Sequence, residues 1–362
     1  MSNKTIYVGM SGGVDSSVTA AVLKEQGHTV VGVYMKNWSQ DLPGMVCPWK
    51  DDYQDAKRVA VQLGIDFKLY DFETQYRHKV VEYMVAEYQA GRTPNPDIMC
   101  NQEVKFKLFL ETALGDGADM IATGHYARIK QGWNFQLHAA KDKSKDQSYF
   151  LYRVTEAALS KSLMPIGEYL KSEVRELARK MGLATAEKKD SQGICFVGKV
   201  GIKDFLSQYV TAEPGAIIDQ HGTTIGQHDG AIFYTIGQRH GLHVGGGLPY
   251  YVVGKNMAKN EVIVSTDLDD KRLWHQTFTL ASVHWINQEP AAPPSSLLPP
   301  PHSAAQPLHV RTRYRAPLVG CRLESDGQNL TVALEDPVRA ITPGQSAVFY
   351  QGDQVIGGGI VI

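Results

Sequence analysis

The chain has 362 residues, 43% of them apolar and 21% charged, with a formal net charge of -1. That length predicts two or three domains of roughly 100–200 residues, and the composition excludes disordered and fibrous classes. Near neutrality removes any global electrostatic case for nucleic acid, so a polyanion would have to be held by local clusters such as Lys141/Lys143/Lys145, Lys188/Lys189 or Arg311/Arg313/Arg315.

In chain order, the apolar residues 5–8 predict a buried parallel strand, and Val18, Ala21 and Val22 share one face of the helix that follows. Between them lies Gly9-Met10-Ser11-Gly12-Gly13-Val14-Asp15-Ser16, a strand-loop-helix junction. Its glycines let the backbone approach a ligand, its serines offer hydroxyls, and the free amides of the helix start favour an anion. No lysine follows the glycines, so this is not the G-x-x-x-x-G-K-[ST] loop. The pattern then alternates: strand 29–35, helix 51–63 with Gly64 as its cap, strand 67–72, helix 75–90, and strand 119–123 ending at Gly124-His125-Tyr126. This is α/β winding, in which ligands sit at the carboxyl ends of the strands. Met35 would face the same crevice.

Residues 93–107 read TPNPDIMCNQEVKFK. The prolines predict an extended approach, and Val104 with Leu108 predicts a helix start, which puts Cys100 near a helix N-terminus where thiolate is favoured. The polar neighbours Asn95, Asp97, Asn101, Gln102 and Glu103 argue against a buried thiol. Cys195, in the polar turn of residues 188–196, is flanked by Ile194 and Phe196, which leaves a structural and a reactive role both open. Cys47 and Cys321 complete the set; no C-x-x-C pair exists, and reduced thiols are expected. After about residue 198 short β runs are expected at 216–218, 232–235 and 250–253, and from about 274 the pattern is β throughout, with a hairpin turning at Asp326-Gly327 and Cys321 on its apolar face. The seven prolines of 287–307 predict an extended loop within this last unit. Residues 1–7 carry no secretory pattern and no run approaches the roughly 20 apolar residues of a membrane span, so a cytoplasmic protein without a membrane partner is expected.

Taken together, SGGVDS, TPNPDIMCN, ATGHYAR, KDQSYFLY, KKDSQGICF, YTIGQRHGL, TRYR and TPGQSAVFY resemble, over essentially the whole chain, the bacterial tRNA-specific 2-thiouridylases of the PP-loop ATP pyrophosphatase superfamily. The resemblance implies an α/β fold: a doubly wound parallel sheet over residues 1–200, a small β-rich domain over 201–272 and a C-terminal β-barrel over 273–362. It implies that ATP, with Mg2+, binds Gly9, Met10, Ser11, Gly12, Gly13, Val14, Asp15, Ser16, Met35 and Gly124, and that the C2 oxygen of the wobble uridine is adenylated. It implies that Cys195 carries a persulfide, that Cys100 releases the sulfur or closes a disulfide with Cys195, and that Asp97 moves a proton. Asn95, Pro96, Asp97, His125, Lys145, Asp146, Gln147, Arg313, Tyr314 and Gln345 match positions that contact tRNA. The implied partners are glutamate, glutamine and lysine tRNAs and a sulfur-relay protein fed by a cysteine desulfurase; no resident metal is implied. The proline-rich stretch and the glycines after His243 depart from the family pattern. Two rival classes are a PP-loop amidotransferase or synthetase, in which Cys100 and Cys195 would be dispensable, and a non-catalytic RNA-binding module. The period-two spacing of Arg311, Arg313 and Arg315 predicts one basic face on a strand, laid along a phosphate backbone.

Overall fold

The computed structural model describes residues 3–41, 46–189, 201–245, 247, 249–287, 307–325 and 329–362. Its first sheet contains β1 (Thr5–Gly9), β2 (Thr29–Lys36), β3 (Asp66–Asp71), β4 (Met120–Thr123) and, after the hairpin β5 (Ala127–Gln131) and β6 (Phe135–Ala139), the short β7 (Ser162–Leu163). The strands of the sheet are parallel in the order β3-β2-β1-β4-β7. Alternation along β1 explains the layering. Ile6 and Val8 enter an apolar layer with helix α1 (Val14–Glu25), helix α2 (Trp49–Leu63) and helix Lys171–Lys180, while Tyr7 enters the opposite layer with Tyr76, Met84, Val104 and Phe109. Helices therefore cover both faces, and chain order reverses between β1 and β4, the switch point where such sheets hold ligands. Gly64 caps α2 in the left-handed conformation, its amide reaching the Ala60 and Val61 carbonyls.

The central unit pairs β8 (Gly215–Ile218), β9 (Thr224–His228), β10 (Tyr251–Asn256) and β11 (Glu261–Ser265) in the order β10-β11-β8-β9. The strand expected at 232–235 is not there: Gly230, at φ +141°, leads into a 3-10 turn over Ala231–Phe233. The last unit is a closed barrel of β12 (Trp274–Trp285), β13 (Leu308–Arg311), β14 (Val319–Ser325), β15 (Leu330–Arg339), β16 (Ser346–Gln351) and β17 (Gln354–Val361), with β12 pairing both β15 and β17. Ser325 pairs with Leu330 across the expected hairpin, whose Asp326-Gly327 turn lies outside the described residues, as does most of the proline-rich stretch. Cys321 is buried on the barrel's inner face, and burial pushes its thiol up to about 12.

The hairpin β5-β6 is the unexpected element. It leaves the parallel-sheet unit and adds to the barrel, where His138 and Leu137 pair with Gln354 and Val355 of β17. Tyr149, Leu151 and Tyr152 share one apolar cluster with Val348, Tyr350 and Val355 of the barrel, so the two units are joined through a common core.

Candidate active site

Between Gly9 and Val14 the loop is shaped by its own hydroxyls. Ser16 donates to the Gly13 carbonyl at 3.1 Å and accepts from the Ser11 amide at 3.1 Å, while Ser17 donates to the same carbonyl at 2.8 Å. Gly12 stands at φ +75°, and a Cβ there would fall on the Asp52 carbonyl of α2, so the position demands glycine. Gly13 differs. It caps α1 without a side-chain hydrogen bond, and a Cβ on it would meet only Ser11 Oγ, at 3.5 Å. The first turn of α1 thus has no side-chain cap and the space about Gly13 is open, the geometry of an anion cradle. Met10 and Val14 are buried in the core, so they serve the loop through their backbone. Gly124 brings the end of β4 so near that a Cβ would stand 2.8 Å from the Ser16 amide nitrogen, and Met35 Cε would lie 2.9 Å from a Cβ on Gly9. The ten expected nucleotide residues therefore converge at the switch point.

Two neighbours complete the loop: Lys171, which the sequence does not mark, and Tyr126, which the sequence places at the carboxyl end of β4. Lys171 reaches both carboxylate oxygens of Asp15, at 2.7 and 2.8 Å, and the Tyr126 hydroxyl donates to Asp15 at 2.8 Å. Nothing in the pattern of the helix Lys171–Lys180 marks its first residue as a site residue. Gln147 fixes Tyr126 by exchanging hydrogen bonds with its backbone, at 2.9 and 2.8 Å.

The segment leading to Cys195 is anchored at this loop. Thr185 donates to Ser17 Oγ at 2.9 Å, and Lys188 pairs with Asp52 and Asp55, each at 2.7 Å. Cys195 itself lies outside the described residues. Past that segment, Phe205 packs on Trp38 just beyond β2, with ring centroids 6.0 Å apart.

Cys100 is approached through a clamped loop. The Thr93 amide donates to the Pro343 carbonyl at 2.9 Å, Gln345 donates to the Thr93 carbonyl at 2.7 Å, and the hydroxyls of Thr93 and Thr235 meet at 3.1 Å. The helix then begins at Pro96, not at Val104, because proline at the first position is already in helical geometry. Hydrogen bonding is π-helical over Cys100–Leu108, a rare form that clusters at functional sites. Cys100 therefore sits in the second turn, beyond the reach of the terminal dipole, and is 4% exposed beside Ile98, Val104 and Phe106. Both sequence expectations for this thiol, helix start and polar exposure, are corrected.

Around it the polar groups are tuned by burial. Burial raises Asp97 above the ordinary carboxylate value, partly offset by the Lys105 ammonium. Burial, aided by Lys105, drives His125 well below the usual imidazole range, so the ring is neutral, with Nδ1 2.8 Å from Thr123 Oγ1. Asn101 donates through Nδ2 to the Phe150 carbonyl at 3.0 Å, which fixes its orientation and leaves Oδ1 buried without a partner; Asn95 Oδ1 is likewise buried and unpaired.

Several expected RNA contacts are occupied inside the protein. Asp146, 5% exposed, accepts from the amides of Ala140 at 3.0 Å and Ser148 at 3.2 Å and meets Arg311 at 3.5 Å. The single arginine face does not form. β13 ends at Arg311 and Arg315 turns left-handed at φ +64°, so the period-two alternation is broken. Arg311 points inward to Asp146, Arg313 donates to the Ile236 carbonyl at 2.9 Å and to Thr342 Oγ1 at 2.5 Å, and Arg315 is exposed, donating to the Ser144 carbonyl at 3.3 Å. Tyr314 packs on Phe150 with centroids 4.4 Å apart, and Lys145 is partly exposed one residue beyond Ser144.

Comparison with known proteins places this geometry. Family models match three consecutive stretches: a tRNA methyl transferase HUP domain over residues 4–199, a tRNA methyl transferase PRC-barrel domain over 203–266 and an aminomethyltransferase beta-barrel domain over 275–361. The chain is 45% identical to the tRNA-specific 2-thiouridylase MnmA of Geobacillus thermodenitrificans over 361 residues, covering 98% of this chain and 94% of that protein. It is 45% identical to the protein of the same name from Bacillus subtilis (98% and 94% covered) and 46% identical to that of Idiomarina loihiensis (100% and 97% covered). With these relatives matched almost end to end, the chain belongs to the tRNA-specific 2-thiouridylase family.

Proposed function

We propose that this protein makes 2-thiouridine in tRNA in two stages run at one crevice. The observation that carries the reading is the meeting, at the β1/β4 switch point, of an uncapped anion cradle with the anchors of the segment leading to Cys195, while Phe106 of the Cys100 helix packs on His125 beside Gly124, with centroids 5.6 Å apart. ATP lies across Gly9 to Ser16 with Met35 and Gly124 at its adenosine side; the C2 oxygen of the wobble uridine attacks the α-phosphorus and pyrophosphate leaves along α1. Magnesium arriving with the nucleotide would find one carboxylate at the loop, Asp15, which suits an ion held chiefly by phosphates.

In the second stage a Cys195 persulfide attacks C2 and AMP departs. The Cys100 thiolate then attacks the Cys195 sulfur, 2-thiouridine is released, and the two cysteines are left as a disulfide for an external thiol to reduce. Asp97, raised by burial, is suited to passing the proton. The base side is formed by Asn95, Pro96, Asp97, His125, Lys145 and Tyr314, whereas Asp146, Gln147, Arg313 and Gln345 hold the frame that aims them. A flipped uridine fits a crevice built for chemistry at C2. Glutamate, glutamine and lysine tRNAs and a relay protein supplying sulfane sulfur complete the scheme.

The test is a thiolation assay with ATP, tRNA and a persulfide donor. Cys100→Ser and Cys195→Ser should each retain ATP-dependent pyrophosphate release yet form no 2-thiouridine; full thiolation by either variant refutes the two-cysteine scheme.

A further inference from the structure

A phosphate site needs positive charge, and this loop supplies only part of it. The free amides of a helix start amount to about half an elementary charge, whereas a triphosphate carries several negative ones. No Lys or Arg occurs between Gly9 and Leu23. The hydroxyls of Ser16 and Ser17 both donate to the Gly13 carbonyl and so are used in shaping the loop. Magnesium arriving with the nucleotide offsets part of that charge, and the protein cation that a loop lysine provides in G-x-x-x-x-G-K-[ST] sites is here to be sought elsewhere in the chain.

Among the described residues, Lys188 and Lys171 pair with carboxylates of the loop and of α2 beside it. Lys188 sits on α2 against two carboxylates, Asp52 and Asp55, at 2.7 Å each, and is electrically satisfied there. Lys171 stands on the other side. It is the first residue of its helix, its backbone amide is fixed by Asp142 at 2.9 Å, and its side chain is only 12% exposed. The ammonium lies 5.6 Å above the Tyr126 ring and bridges both oxygens of Asp15, the second residue of α1. That places it at the first turn of α1, at the edge of the cradle made by Gly12 and Gly13.

We propose that Lys171 is the cation that holds the leaving pyrophosphate, and that Asp15 keeps it in position until nucleotide arrives. This rests on the reading that the loop binds ATP. On binding, the ammonium exchanges a carboxylate partner for a phosphate oxygen, so it remains paired throughout. Asp15 keeps the Tyr126 hydroxyl and, being 30% exposed, gains water. The ammonium has three donors and gives up only one of the two Asp15 oxygens it bridges, so it stays between the carboxylate and the phosphate and no buried charge is stranded. The charge-assisted contact tightens as negative charge accumulates on the departing pyrophosphate, which directs its effect to the adenylation step.

The probes are inorganic pyrophosphate as an inhibitor, adenosine as a phosphate-free ligand, and ATP-dependent pyrophosphate release with tRNA present. Lys171→Met should weaken inhibition by pyrophosphate and lower kcat/KM for ATP by about 10–100-fold, the range of one charge-assisted hydrogen bond. Adenosine binding should stay at the parent level, and Lys171→Arg should recover most of the loss. Parent-level pyrophosphate inhibition in Lys171→Met overturns the proposal. So does an equal loss of adenosine and pyrophosphate binding with a lowered melting temperature, which would make Lys171 a brace for α1. If the parent enzyme neither binds pyrophosphate nor releases it from ATP, the ATP reading falls instead.

Discussion

Replacing Asp146 by alanine separates an RNA contact from an internal clasp. The carboxylate is 5% exposed and holds the amides of Ala140 and Ser148 together with the Arg311 guanidinium. Its removal strands two backbone donors, at about 1 kcal/mol each, and leaves an arginine whose Nε already lacks a partner. Breaking a buried ion pair from one side costs about 3–5 kcal/mol. Arg311 is 18% exposed and the separation is 3.5 Å, so the pair belongs at or below the low end, and the whole change should cost about 3–5 kcal/mol. At about 2–4 °C per kcal/mol for units of this size, the melting temperature should fall by about 10 °C. Calorimetry would measure that fall, and filter binding of tRNA well below the transition would show little loss of affinity. A variant with parent-like melting and tRNA binding weakened tenfold would refute the clasp and restore Asp146 to the RNA surface.

The two glycines of the loop should fail differently. Gly12→Val should prevent correct folding, because φ is positive and the Asp52 carbonyl occupies its Cβ position, whereas Gly13→Val should fold with a parent-like melting temperature and release no pyrophosphate. Equal melting of the two variants would contradict this. For Asp97 the folded value lies above the unfolded one, so the native state binds the proton more tightly and loses stability as pH rises from about 3.8 through the raised value. Asp97→Asn should therefore be no less stable than the parent at pH 7 while failing to thiolate; melts at pH 4 and pH 7 check the sign, and a clear loss at pH 7 would reverse it. Arg313→Ala should lower stability by about 1–3 kcal/mol, through its bonds to Ile236 and Thr342, and leave the salt dependence of tRNA binding unchanged. A salt slope reduced by about one unit would return Arg313 to the phosphate backbone.

What was readable in the sequence was local. The parallel strands and the glycine loop follow from apolar runs and from residue types that only one backbone geometry accepts, as Gly12 illustrates. β6 also alternates, with Leu137 and Ala139 buried and His138 between them half-buried, yet no local signal points to its partner, β17, about 200 residues away. Lys171 was invisible for the same reason: its meaning lies in Asp15, brought to it by the sheet. The arginine face failed because period-two reasoning assumes that a strand continues, whereas β13 stops at Arg311 and Arg315 beyond it takes a left-handed conformation that no glycine announces. Cys100 was misplaced by reading the helix from its first apolar pair instead of from Pro96.

The stitched hairpin also sets a timetable. During synthesis β5 and β6 leave the ribosome long before residues 354 and 355, and at roughly 5–20 residues per second the wait is on the order of 10–40 s. Through that interval the nascent first unit carries an open strand edge at β6, and Tyr149 and Tyr152 lack the Ser346, Val348 and Tyr350 neighbours that the barrel later supplies. The pairing of β6 with β17 joins residues made early to residues made last, and loop 93–95 is gripped by Pro343 and Gln345 of the barrel as well as by Thr235 of the central unit.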